Sequence, residues 1–440
     1  MDSLLIKNGR VVTLNPANDI LENGEVRIDG PRIVSVGSHP DAKFKADRVI
    51  DAGGKVVMPG LINAHHHLYS TFARGFVPPG RAPVNFREVL EFLWWKLDLA
   101  LDMDDVYHSA LLSLVECIKL GCTTVIDHHA SPSCRNGSLD TIENAFRHAG
   151  LNGCLCYEVS DRNREAAGIE ENLRFIEKCA ASSDGQIAAL FGLHASMTLE
   201  TKTLDQCAEI AEDKKIGFHV HAAEDEIDQH VTQAEFGRRV MERFQEHKIT
   251  GPKSIFAHCV HLSDHELDIL KATDSIVVHN AESNMNNAVG VARILDMMKK
   301  GILTGIGTDG MSSDVMASAR VAYLLQRDAW RDPRIAFVEV CDMLLKNNRT
   351  ICERLFKEKR GMLAAGCLAD VIVVDYEPPT PFEPPTFYGH LLFGLNYAPV
   401  DTTICRGRVL MEGRKLIDLD EKEIAGNARE RARKLWRRIK

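Results

Sequence analysis

Between residues 57 and 309 the chain repeats one pattern: a short apolar segment bounded by turn signals, then a longer stretch with helical hydrophobic spacing. The apolar segments fall at 57–65, 123–128, 154–159, 187–194, 217–221, 254–258, 275–279 and 303–309. Alternation of this kind builds βα units around a parallel sheet, and eight such units match a closed (β/α)8 barrel of the TIM type. An open doubly wound sheet would not normally need as many repeats, and no GxGxxG follows the first segment. The expected class is α/β, with a (β/α)8 barrel at its centre.

The two ends have a different texture. From Leu4 to Ile50, and again from Leu368 onward, apolar and polar residues alternate between turn signals, as in SLLIKNGRVVTLN, LADVIVVDYEPP and DTTICRGRVLMEGRKLI. Each block alone is too small to bury a core. They are therefore expected to pair as a small β-sandwich domain of residues 1–58 and 365–440, around a catalytic barrel of residues 59–364. Past Glu421, the residues Ile424, Ala428, Leu435 and Ile439 recur at helical spacing opposite a basic face, which predicts a docking helix within that composite domain, with a partner-binding device as the alternative.

Composition removes whole classes of function. With 53 Lys and Arg against 62 Asp and Glu the net charge is −9, a poor match for a phosphate backbone. No window reaches the roughly 18–20 uninterrupted apolar residues of a membrane span, and MDSLLIKNGRVVTLNP lacks the basic and long apolar stretches of a secretion signal. The 12 cysteines are scattered without a CxxC pair, which suits a reducing compartment. The expectation is a cytoplasmic protein acting on a small molecule, without nucleic-acid or membrane partners.

Histidines and acids end nearly every apolar segment: His65, His66 and His67; Asp127, His128 and His129; His194; His219 and His221; His258; His279; Asp309. In a parallel barrel the C-terminal strand ends meet at one mouth, so this set gathers into a single metal or catalytic site. One such histidine reads as an ordinary hydrogen-bonded residue, but a whole ring of strand ends does not. On a strand, i and i+2 share a face, which aims His65 and His67 inward and His66 away. Two imidazoles from the first strand, a third from a later one and a carboxylate from the last make an N3O set suited to zinc or iron(II). No sulfur ligand accompanies them, which argues against a structural zinc site. The long segment GFVPPGRAPVNFREVLEFLWWKLDLALDMDD after the first strand reads as a lid. Helix core or a dimer contact is the equal alternative for its Phe92, Trp94 and Trp95.

Six motifs go further: PGLINAHHHLYSTFARG, GLHASMTLE, HVHAAED, AHCVHL, HNAESNMNNAVG and GIGTDGMSS. Through them the chain resembles the amidohydrolase superfamily over almost its whole length. Within it, the resemblance is to the aminohydrolase or deaminase branch of guanine deaminase, S-adenosylhomocysteine deaminase and the triazine chlorohydrolases, and most of all to SsnA-type aminohydrolases. It implies that His65, His67, His221 and Asp309 hold one divalent metal, zinc first and iron(II) second. It also implies that Asp309 takes a proton from the metal's water, that Glu224 carries a proton to a ring nitrogen, and that His258 orients the attacking oxygen. His194 matches a substrate-contacting histidine, although HAS stands where the family more often has HAP. No lysine ends the fourth strand, where binuclear relatives bridge two metals, so a single ion is expected. His128 and His129 are unusual for the branch; substrate contact, a second metal and a loop hydrogen bond are all open to them. A homodimer is implied as well.

Specificity is expected from Tyr69, Arg74, Glu158, Arg162, His194 and Asn284, which follow the strands and can address ring edges. Glu158 and Arg162 together would suit an amidine edge and a carbonyl or carboxylate; a surface ion pair is the plain alternative. The expected function is metal-dependent hydrolysis of a non-peptide carbon–nitrogen bond, foremost deamination of an aminated purine, pyrimidine, pterin or triazine by a metal-bound hydroxide. The same residues would serve ring opening of an imidazolone or oxopurine. Carbon–halogen cleavage fits less well, because it makes little use of Glu224. A catalytically silent scaffold would have no reason to keep His65, His67, His221, Glu224, His258 and Asp309 together.

Overall fold

The computed structural model describes residues 3–38, 44–162 and 168–439. The first end block forms β1 (Leu4–Val12), β2 (Ile20–Asp29), β3 (Arg32–Gly37), β4 (Arg48–Asp51) and β5 (Val56–Pro59). The middle forms β6 (Leu61–His66), β7 (Cys122–His129), β8 (Asn152–Tyr157), β9 (Ile187–Ala189), β10 (Phe191–Ala195), β11 (Phe218–Ala222), β12 (Ile255–His258), β13 (Ile276–His279) and β14 (Leu303–Ile306). The last block adds β15 (Val371–Val374), β16 (Val400–Cys405), β17 (Arg408–Glu412) and β18 (Lys415–Leu416).

The two end blocks do join. Their strands make one hydrogen-bonded sheet in the order β18-β17-β16-β15-β5-β1-β2-β3, with β4 on β1. The sheet curls over itself, because Ile28 and Ile33 share a core with Val371, Val373 and Ile404 from its other half. A bridge between Arg32 and Leu368 fastens the fold-over.

The middle strands run parallel in two ladders, β6-β7-β8-β9 and β10-β11-β12-β13-β14. Single bridges join the ladders, Val159 to Leu193 and His66 to Asp309, and so close the ring. Two expected strands prove to be interrupted. At Gly60 the chain leaves the end sheet for the barrel: Gly60 N–H donates to Asp370 O at 3.0 Å and Leu61 N–H to Gly121 O at 2.9 Å. A Cβ on Gly60 would stand 2.3 Å from Thr123 Oγ1, so the crossing needs glycine. At Leu190 the fourth strand changes partner, with Leu190 N–H donating to Leu155 O and Phe191 N–H to Gly217 O. The eighth strand ends at Ile306, and Asp309 sits in the turn beyond it.

Ile62, Ala64, Ile126, Cys154, Cys156, Ile255 and Val278 fill the barrel, which Ile351 and Phe356 plug at the N-terminal end of the strands. Register between β6 and β7 shifts between Asn63 and His66. That bulge lets His65 follow Ala64 on the inner face, while His66 turns outward to Ser113 Oγ at 2.9 Å. The mouth is roofed by α1 (Phe86–Val89), a π-helical turn over Leu90–Trp94, and α2 (Trp95–Ala100), ahead of α3 (Met103–Lys119).

The helix Glu421–Arg438 buries Ile424, Ala428 and Leu435, as its spacing predicts. It packs mainly on α3 of the barrel, however, rather than on the end sheet. Asp102 and Asp105 cap α3 and draw the helix in: Arg431 Nε donates to Asp105 Oδ1 at 2.9 Å, and Trp436 Nε1 donates to Phe72 O at 2.7 Å. Among the described residues no helix is long and apolar enough to cross a membrane.

Gly192 sits where β10 approaches β8. Val159 N–H donates to Gly192 O at 3.1 Å, and a Cβ there would stand 2.2 Å from the Tyr157 carbonyl oxygen. Gly192→Ala is expected to lower stability by about 1–3 kcal/mol in urea unfolding at an unchanged m-value. Parental stability would mean that this junction can give way.

Candidate metal centre and active site

Four donors converge at the mouth. His67 Nε2 lies 3.1 Å from His221 Nε2 and 3.1 Å from Asp309 Oδ1, and His65 Nε2 lies 3.6 Å from the same oxygen. Barrel closure sets this arrangement: His65 O accepts from Thr308 N–H and Asp309 N–H, both at 3.0 Å, and His66 Nδ1–H donates to Asp309 O at 2.7 Å. The turns that carry the site are strained, with φ of 46° at Ala223, 72° at His258 and 55° at Asp309.

Each ring is oriented from behind. His67 Nδ1–H donates to His128 O at 2.6 Å and His221 Nδ1–H to His194 O at 3.0 Å, while His65 Nδ1 meets His219 Nε2 at 2.8 Å. With both Nδ1 protons spent, the Nε2 atoms of His67 and His221 face each other, a contact that a proton or a metal ion between them relieves. The same demand for positive charge shows in the titration. Burial works to lower the His67 pKa, but the Asp309 carboxylate beside it wins and lifts it to about 9. Burial drives His65 well down and His221 to about 3, so both remain neutral lone-pair donors. Burial pulls Asp309 up, yet the His65 and His67 rings beside it hold it well below the usual carboxylate range. Three imidazole nitrogens and an ionised carboxylate form a fitting cradle for a divalent ion. His128 Nδ1 also comes within ligand reach of His67 and His221. One lone pair per ring nitrogen cannot serve two ions, and the grouping with His128 brings in no carboxylate.

Glu224, His258 and Asp309 stand beside these donors. His258 Nε2 is 3.5 Å from Glu224 Oε2 and 3.7 Å from Asp309 Oδ2, and its Nδ1–H donates to Asn284 Oδ1 at 2.8 Å. Asn287 Nδ2 donates to Glu224 Oε1 at 3.1 Å. Burial pushes the Glu224 carboxyl up to about 7.

A cleft with about 790 Å³ of empty space, open to solvent, faces both groups. Phe86, Leu90, Trp94 and Trp95 give it an apolar roof, as a lid would, while Phe92 lies under the Arg81 guanidinium at 5.2 Å from its ring centre. His194 presents a lone pair to the cleft: Thr198 Oγ1 donates to Ala195 O, so it accepts the His194 Nδ1–H at 2.7 Å and leaves Nε2 free to accept.

Of the expected specificity residues, Tyr69, Glu158 and His194 line the cleft. Arg74 does not belong there: its side chain is 56% exposed and pairs with Glu116 at 2.6 Å, because the turn Leu68–Ala73 carries the chain outward. Asn284 is buried behind His258, orients that ring and does not line the cleft. Arg162 is no surface ion pair. It bonds the buried Glu158 at 2.5 Å and lies 4.6 Å over the Trp95 ring, backing the wall. His129 Nε2 takes a loop hydrogen bond from Ser131 Oγ at 2.9 Å, and His128 Nε2–H donates to Leu193 O at 3.0 Å. The sequence reading missed Asp98, buried in the cleft wall 3.8 Å from Arg162, and Asn287. Signals existed for both: Asp98 stands one helical turn after Trp94 and Trp95, and Asn287 closes the SNMNN run after the seventh strand.

The amidohydrolase family pattern matches residues 56–410. The chain belongs to the amidohydrolase family. Across 99% of both chains it is 32% identical to a 5'-deoxyadenosine deaminase of Methanosarcina acetivorans. Across 100% of both it is 31% identical to a 5-methylthioadenosine/S-adenosylhomocysteine deaminase of Pelotomaculum thermopropionicum. A zinc-bound adenosine deaminase structure from Xanthomonas campestris superposes with a TM-score of 0.87 at 21% identity, covering 99% of this chain and 98% of that one. A zinc complex of atrazine chlorohydrolase from Arthrobacter aurescens gives 0.85 at 21% identity, covering 98% and 100%. These structures bear on the fold, the barrel with its added domain. With the family and the full-length relatives, this amidohydrolase is an enzyme that hydrolyses carbon–nitrogen bonds other than peptide bonds.

After metal loading, elemental analysis is expected to find His67→Ala and His221→Ala depleted of metal, and His66→Ala still holding about one ion per chain. Equal depletion in all three would mean that the outward His66 supports the ion as much as the inward ligands do.

Proposed function

We propose that this amidohydrolase removes an exocyclic amine from a purine-type cyclic amidine by hydrolysis, with 5'-substituted adenine nucleosides the first substrates to try. The observation that carries the reading is the grouping of Glu224, His258 and Asp309 on one side of a cleft, beside an N3O donor set. The domain division at residues 1–58, 59–364 and 365–440 is proposed with it, as is zinc over iron(II), which the same donors would also accept. A divalent ion held by His65, His67, His221 and Asp309 supplies Lewis acidity, which makes hydroxide accessible near neutral pH.

The chain's own residues would then divide the work. Asp309, kept ionised, accepts the proton of the attacking water on its Oδ2 side, toward His258. Asn284 fixes the His258 ring, whose Nε2 orients the oxygen as it bonds to the ring carbon. Glu224, held by Asn287, delivers a proton to the adjacent ring nitrogen and so lets that nitrogen take up the electron pair. Collapse of the tetrahedral carbon expels the amine, protonated in turn by the acids that hold the water's protons. The apolar roof clamps the flat ring and excludes water. Asp98, Glu158 and the His194 Nε2 lone pair are acceptors, so the wall away from the reacting carbon suits hydroxyl or N–H donors. The names of the two full-length relatives support this class, since both are deaminases of adenosine-type compounds.

The test is ammonia release by metal-loaded protein from 5'-deoxyadenosine, 5'-methylthioadenosine, adenosine, other aminopurines, pterins and triazines, with ultraviolet spectra alongside. Ammonia with an intact heterocycle from an adenine nucleoside is expected; loss of the chromophore without ammonia would replace deamination by ring opening. Asp309→Asn should lower turnover by about 10²–10⁴-fold while the fold persists in circular dichroism. Wild-type turnover in that variant would sink the assignment of Asp309 as the proton acceptor.

A further inference from the structure

We propose that His219 is a positioning residue for the metal: its Nε2 accepts the Nδ1–H of His65 at 2.8 Å and holds His65 in the tautomer whose Nε2 lone pair faces the ion. This rests on the metal assignment above. His67 and His221 are oriented by the carbonyls of His128 and His194, groups that no substitution removes. Of the three ring ligands, His65 alone is oriented by a side chain. Among the described residues its buried Nε2 has no hydrogen-bond partner, and it lies on the Asp309 side.

Two imidazole nitrogens at hydrogen-bond distance share one proton. If His65 offers its Nε2 lone pair to a metal, the proton sits on its Nδ1, and His219 must accept through Nε2. His219 then carries its own proton on Nδ1, where Cys156 Sγ lies at 3.7 Å, and the Cys156 thiol donates onward to Asp127 O at 3.6 Å. Every donor in the row finds an acceptor. The reverse assignment places N–H on His219 Nε2, moves the His65 proton to Nε2 and turns it against the cation. His65 and His219 are fully buried and Cys156 is 1% exposed, so water does not substitute for a missing member. His219 shares the inner face of β11 with His221, two residues on. One short strand thus supplies a ligand and the orienting group for another ligand.

Zinc affinity by chelator competition and the visible bands of the cobalt(II) form test the proposal without recourse to turnover. His219→Leu, which removes the acceptor, is expected to weaken zinc binding by about 10–100-fold and to shift the cobalt bands. His219→Gln, whose amide oxygen can still accept the His65 proton, should recover most of the affinity, and Cys156→Ser should stay near the parent. Parental affinity in folded His219→Leu, or no recovery in His219→Gln, would overturn the proposal. Should His219→Leu fail to fold, long-range ¹H–¹⁵N spectra of the zinc-loaded parent decide: a proton on His65 Nδ1 supports the assignment, and one on Nε2 refutes it. Failure of the underlying metal assignment shows separately, as parental zinc affinity in His65→Ala.

Discussion

The pairing of the first barrel strand with the turn after the last one is the contact on which the site depends. One carbonyl, that of His65, takes two amide protons, from Thr308 and Asp309, and the His66 side chain fastens the Asp309 carbonyl from the outer face. Closing the barrel and bringing a carboxylate against two histidines are therefore one event. Had β14 simply continued, Asp309 would have stayed in a ladder. Its left-handed backbone turns the side chain toward His65 and His67 instead.

Burial then decides the protonation pattern. Removing imidazoles from water favours their neutral form, and the barrel interior does so for His65, His128, His219 and His221 together. A set of neutral rings with lone pairs aimed at one point is a ligand cradle; charged rings would repel one another and the ion. The Asp309 carboxylate supplies the negative charge within the donor set against which a cation is held. On the cleft side, desolvation acts with the opposite sense for function, keeping Glu224 within reach of its proton near neutrality.

Much of this could be read from the sequence. Strand ends rich in histidine meet only in a parallel barrel, and the two-residue period of a strand separates His66 from its neighbours. The period succeeded at His65 for a reason it did not contain: the bulge after Asn63, which lets Ala64 and His65 share a face. Where the reading failed, geometry beyond the strand ends intervened. Arg74 was judged by its distance from the metal pair along the chain, but an intervening turn leads it to solvent. Asn284 was grouped with substrate contacts because of its loop, whereas its amide oxygen is used by His258. Asp98 lay hidden in a helix whose partner behind the same wall, Arg162, stands 64 positions later in the chain. The docking face of the last helix was legible, but its partner was not, since that choice is made by the aspartates capping α3.

The positive φ angles at His258 and Asp309 have a bearing on how such a site can change over generations. Histidine, aspartate and asparagine are among the side chains that tolerate this backbone region best, and β-branched or bulky ones tolerate it poorly. At these two positions conformation and chemistry therefore favour nearly the same few residues, so most mutations are rejected twice, as strain and as lost function. The cleft walls carry no such double requirement: Trp94, Glu158 and His194 sit in ordinary backbone. Substrate range is then free to drift while the hydrolytic centre stays put, and one reaction can be carried to many rings by chains that differ mostly along the wall.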